Sequence, residues 1–373
     1  MENCPEYSDS IKKYLLNQPE RLFNAIVLAI YEAEPQWFEL DVQVEEYNTY
    51  SVGVLELSGE EIIFPVDGQH RVEGIKKAIK QNPELENEKV PVILIGHENS
   101  DNGKKRTRRL FATLNRRAKR VKDNELIALD EDDVVAIATR EMAENHKLFK
   151  DYRLVDYANK NIPSTNGLPF TSILALYEVN KILYFENERI KQLSKEKQSE
   201  YLLYRPEEQE VKEFIQYISD FWDAFIKYTP KIAEYCTLDE NEVIEYEYRS
   251  KNGGNLLFRP IALSQYVNAV MFYKNKMMCS VENALEMFSG IPMEISEKPW
   301  KGILWLEERH NINGRVRKKD LFLLILALVD WELLDENERT ELVDYILSSR
   351  DLEKDHRENV IKELKTYSEK NRN

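Results

Sequence analysis

The chain of 373 residues and 44.1 kDa carries a formal charge of -15 with a pI near 5.1, and 42% of its residues are hydrophobic against 32% charged. That balance describes a globular chain with ample core material, and it argues against a general nucleic-acid coat, because long-range repulsion opposes phosphate unless a local basic face overrides it. Cys4, Cys236 and Cys279 form no Cys-x-x-Cys pair, the N-terminus Met1–Glu6 has no signal-peptide pattern, and the longest apolar run, Leu321–Val329, is about half of a membrane span, so a reducing cytoplasm is the expected setting.

In chain order, residues from about 10 to 120 mix strand and helix signals. Leu22–Tyr31 reads as a buried strand, Tyr50–Leu57 as an alternating strand, and Ile62–Val66 as another after the Ser58-Gly59 turn. A helix is predicted over Val72–Lys80 and a short buried strand over Lys89–Gly96, followed by the loop chemistry of Glu98–Gly103. Beyond Asp123 the pattern turns helical. Asp130 is placed to cap a helix running to about Asn145, and further helices are predicted at Thr171–Phe185, Pro206–Tyr228, Pro260–Lys274, Ser280–Phe288, Lys319–Leu334 and Glu336–Ser349. The last 23 residues read as a solvated helix or a partner-binding tail. These readings give an α/β (or α+β) domain over 10–150 and a mostly α-helical domain over 151–373.

The most informative stretch is Asp67-Gly68-Gln69-His70-Arg71, between a strand-like run and a helix-like one. First-turn N–H groups of a helix lack intrahelical partners and the macrodipole favours an anion, so this is a candidate phosphate turn. His70 and Arg71 are candidate donors there. Asp67 is a candidate N-cap, base or holder of a metal-bound water, and Gly68 lets the backbone come close.

A second anomaly runs from Lys104 to Lys122, with ten basic residues and no acidic one. Arg109, Arg116, Arg117 and Lys119, with Asn115 among them, are candidates for a cationic wall against nucleotide or DNA phosphates; a solvated face neutralised by Asp130–Asp133 is the alternative. That acidic run suits a helix N-terminus, or Mg²⁺. Ser164–Gly167 is either a ligand-contacting turn or a helix entry, and Arg259 either a phosphate ligand or a buried structural arginine. Arg315, Arg317 and Lys318 form a second basic patch, the candidate DNA contact of the helical domain. A Gly-x-Ser-x-Gly elbow and a Walker A loop are absent from the sequence.

At these residues the chain resembles the DGQHR-domain proteins, the group that includes the DNA sulfur modification protein DndB and the DpdB proteins of 7-deazaguanine DNA modification. Phe23–Trp37, ending Glu34-Pro35-Gln36-Trp37, with Arg109–Lys119, Ala128–Asp133 and Leu257–Pro260, share the resemblance, which spans roughly residues 10 to 330. It implies a ParB/sulfiredoxin-like N-terminal fold whose glycine turn binds nucleotide phosphates, ATPase activity in some relatives, DNA-binding repression by DndB itself, and a bacterial DNA-phosphorothioation, modification or antiviral-defence setting. The acidic balance is a departure, and none of the three cysteines can be matched to a redox-sensing role.

Three functions follow as expectations. The first is an ATP (or other NTP) binding and hydrolysing enzyme using Mg²⁺, with Asp67, Gln69, His70 and Arg71 catalytic and Gly68 at the phosphates. The second is a DNA-binding regulator of the phosphorothioation locus. The third is a non-catalytic interaction subunit of a modification complex. Other DNA-modification proteins and a second copy of the chain are the candidate protein partners.

Overall fold

The computed structural model describes residues 5–18, 21–31, 34–40, 42–44, 47–49, 52–98, 100, 103, 106, 127–128, 130–155, 162–187, 190–200, 202 and 206–372. The chain divides into two compact units, residues 1–120 and 121–373. The first is mixed α/β and the second mostly helical.

In the first unit the order is α1 (Pro5–Asn17), β1 (Ile26–Tyr31), β2 (Gln36–Glu39), β3 (Val42–Val44), β4 (Tyr47–Thr49), β5 (Gly53–Glu56), β6 (Ile62–Asp67), α2 (Gln69–Gln81) and β7 (Val92–His97). The central sheet has the order β6-β1-β7, with β1 antiparallel to β6 and parallel to β7. Val27, Ala29 and Val66 are buried together, with Phe64 and Ile95 packed against them. The expected strand from Leu22 begins only at Ile26, whose N–H bonds the Pro91 carbonyl. β1 pairs antiparallel with β6, β2 with β5 and β3 with β4: Tyr31 faces Ile62, Gln36 faces Glu56 and Val42 faces Thr49. β7 runs beside β1 alone and ends opposite Tyr31, so β2 with β5 and β3 with β4 are two-stranded pairs with no third strand among the described residues.

Helix α1 has no counterpart among the predicted elements, because its sequence is largely polar and its stability comes from docking on α2. The contact depends on Gly74: a methyl group there would lie 2.6 Å from Ile11 Cγ2 and 3.0 Å from the Ser8 carbonyl. Lys77 closes the same seam on Ser8 Oγ and Asp9 at 2.8 and 2.9 Å.

The second unit is held by one large apolar core. The Glu208–Tyr228 helix buries Val211, Phe214, Ile218, Phe221, Trp222 and Phe225, the spacing of one helical face. The Lys318–Val329 helix is buried nearly all round. Its neighbours include the helix Arg357–Arg372, which buries Val360, Leu364 and Ser368, so the terminal segment is docked on the core rather than solvated. Asp133, not Asp130, caps the helix Val134–Asn145, accepting from Val135 and Ala136; Asp130 stabilises the preceding turn by accepting from Asp132 and Asp133. Burial raises the Asp133 carboxyl pKa, although its second oxygen takes the Tyr177 hydroxyl at 2.6 Å.

Candidate functional site

Strand β6 keeps its pairing through Asp67, opposite Val27, so Asp67 belongs to the sheet and cannot cap α2. Gly68 takes that place with φ 87° and ψ 23°, and no side chain caps the first turn. Helix α2 therefore begins at Gln69, three residues before the predicted start, and Gln69, His70 and Arg71 all lie in its first turn. The Val72 N–H already bonds the Gly68 carbonyl at 2.9 Å.

Arg71 folds back over this turn. Its guanidinium donates to Asp67 Oδ2 at 2.5 Å, to the Asn24 carbonyl at 2.8 Å and to the Ala25 carbonyl at 3.3 Å. The end of β6, the entry to β1 and the start of α2 are thereby fixed to one group. Gly68 is required twice: its φ is left-handed, and an added Cβ would sit 3.2 Å from Arg71 Nε. Gln69 donates to the Pro65 carbonyl at 3.4 Å, and His70 is half-buried with a partner of its own.

As it stands, Asp67 faces a guanidinium. No group of three His, Cys, Asp or Glu side chains able to hold a metal occurs among the described residues. Arg109, Asn115, Arg116, Arg117 and Lys119 lie outside the described residues.

The second-unit candidates divide. Arg317 forms a two-bond pair with the fully buried Asp320, at 2.7 and 2.6 Å, and Lys319 bonds Glu341 at 2.6 Å. Arg315 and Lys318 are exposed, and neither has a carboxylate partner among the described residues. Arg259 is buried: it bonds the Ser250 and Gly253 carbonyls, lies over Trp305, and burial pulls its pKa down to about 10. This is a structural arginine, not a phosphate ligand. The turn at Ser164–Gly167 supplies the Asn166 carbonyl to a second buried arginine, Arg249, which also takes the carbonyls of Pro169, Phe170 and Phe258. The sequence reading missed Arg249, for which only its neighbourhood of aromatic residues gave any signal.

The geometry defines a class: a strand–glycine–helix turn on a mixed α/β unit, followed by a helical unit closed by buried arginines. The model of the DndB family, described as DNA-sulfur modification-associated, matches residues 7–304. The chain belongs to that family. No curated protein and no solved structure matches it.

Proposed function

We propose that the Asp67–Arg71 turn binds the phosphates of ATP or another NTP, that the protein hydrolyses it in the service of a DNA-modification or defence system, and that the first unit is ParB/sulfiredoxin-like. One observation carries the reading: α2 starts directly off a strand, at a left-handed glycine, with no side chain capping its first turn. Such a start accepts an anion through backbone N–H groups and the helix dipole. A phosphate arriving there is a stronger acceptor than a single carboxylate and would draw Arg71 from Asp67. Arg71 would then offset charge developing on the transferred phosphoryl group, and the released Asp67 would orient the attacking water, with Gln69 and His70 bonding water or phosphate oxygens. Mg²⁺ would neutralise charge across the phosphates, reached by Asp67 through water, with most of its ligands from the nucleotide.

The test is ATP binding by calorimetry and phosphate release for the wild type, Asp67→Ala and Arg71→Ala, each confirmed folded by circular dichroism. Retained binding with turnover down at least about 100-fold in Asp67→Ala is the expected result. Equal turnover in all three, or no binding by the wild type at millimolar ATP, overturns it.

The engagement of Arg71 with three protein acceptors favours a second reading, in which the turn is a structural staple in a non-catalytic subunit of a modification complex. Under that reading Arg71→Ala lowers stability while the wild type has no turnover to lose.

A further inference from the structure

Residues 21–25 lead into β1 and belong to no helix or strand, so other elements hold them in place. Arg21 pairs with Glu88. The Leu22 N–H donates to the Tyr14 hydroxyl of α1 at 3.1 Å. Phe23 meets the Tyr14 ring edge to face, with centroids 5.7 Å apart, and packs against the cluster of Leu15, Ala78 and Leu85. At the other end, the Asn24 and Ala25 carbonyls accept from the Arg71 guanidinium at 2.8 and 3.3 Å. A segment with no ladder of its own opens at a cost set by such contacts, so each one lost raises its mobility.

Arg71 is the point where this segment meets the proposed phosphate turn. Nη2 of its guanidinium donates to Asp67, and Nη1 to the two carbonyls. The group is planar and rigid, so Nη2 cannot swing from Asp67 to a phosphate while Nη1 stays in place. The Ala25 bond, at 3.3 Å, is already longer than the usual N–H···O range and is the first to be lost. The turn also touches the start of β1 directly: a Cβ added at Gly68 would lie 3.3 Å from Ile26 Cγ2.

We infer that phosphate binding at residues 67–71 releases residues 21–25 and so relays occupancy of the site to α1. The inference rests on the nucleotide reading of the turn. With Arg71 withdrawn, the segment depends on Tyr14, Glu88 and the packing of Phe23. Tyr14 and Leu15 belong to α1, so a mobile Phe23 loosens the docking of that helix. The coupling is reciprocal: a change that frees residues 21–25 in the unliganded protein makes Arg71 easier to withdraw and tightens phosphate binding.

Hydrogen–deuterium exchange of the full chain tests it, without ATP and with ATP at a concentration that calorimetry shows to be saturating. ATP is expected to speed exchange over residues 22–26 at least about fivefold while slowing it over residues 69–71. A ligand that merely tightened the unit would slow both. Tyr14→Phe removes the acceptor of the Leu22 N–H and leaves the phosphate turn untouched. This variant is expected to exchange faster over residues 22–26 without ATP, and to bind ATP at least about fivefold more tightly than wild type. Arg71→Ala is expected to exchange fast over the same residues whether or not ATP is present. Bound ATP with exchange over residues 22–26 unchanged or slowed overturns the inference and leaves the nucleotide reading standing, and so does a Tyr14→Phe variant with wild-type affinity. No ATP binding by the wild type overturns both.

Discussion

Arg71 ties together three chain segments, so substitutions there act on the fold as well as on any ligand. Its side chain is 21% exposed and its partners are partly wet, which limits what the ion pair itself contributes. Arg71→Ala is expected to cost about 2 kcal/mol, mostly from leaving the Asn24 and Ala25 carbonyls unpaired, and Arg71→Lys about 1 kcal/mol, because an ammonium cannot reproduce the fork. Gly68→Ala is expected to cost about 1–2 kcal/mol through its left-handed φ. Urea unfolding followed by circular dichroism reads all three, and a neutral Arg71→Ala would show that the staple has no structural weight.

A second residue sets a pH response. The His146 side chain is 5% exposed, Nδ1 accepts from the Leu148 N–H at 3.3 Å, and burial pushes its pKa down to about 4, against the opposing pull of Asp223 at 3.7 Å. The folded pKa lies below the unfolded value near 6.5, so the unfolded chain binds the proton first. The contribution is complete above about pH 6.5, is lost as pH falls toward 4, and amounts to about 3 kcal/mol. His146→Gln is expected to flatten the stability profile of the second unit between those limits. Parallel profiles for variant and wild type would rule the histidine out as the source.

At the scale of elements, helix α2 is a case where packing overrides propensity. Alanine at an interior helical glycine normally adds up to about 1 kcal/mol. At Gly74 the added methyl meets Ile11 and the Ser8 carbonyl, so Gly74→Ala is expected to destabilise by about 1–3 kcal/mol by forcing α1 away. A gain in melting temperature would mean that α1 is not docked in solution. The same contact explains what was legible in the sequence. Strand β6, helix α2 and the long helices of the second unit were visible because each carries its own periodicity, as in Phe214, Ile218, Phe221 and Phe225. The glycine turn was visible because residue types and flanking runs agreed. Helix α1, the docking of the C-terminal helix and the pairing of Arg71 with Asp67 were not, because each is fixed by a partner distant in sequence or by a chain reversal that periodicity does not encode. The displaced N-terminal cap has the same origin: β6 keeps Asp67 in the sheet, and the cap passes to Gly68.

For the whole molecule, a chain of charge -15 would hold DNA only through a local basic face, and salt dependence tells the candidate faces apart. Within the patch at residues 315–319 of the second unit, Arg317 and Lys319 are committed to Asp320 and Glu341, which leaves Arg315 and Lys318 of that patch to meet phosphates. Two contacts release about two counterions, so binding through this patch is expected to give a log–log salt slope of about -2, abolished by Arg315→Ala/Lys318→Ala. Binding through the ten cations of 104–122 would give a slope as steep as about -9, untouched by that double variant. A shallow slope assigns DNA to the second unit. A steep slope assigns it to the basic run, and no binding at about 50 mM salt excludes both surfaces.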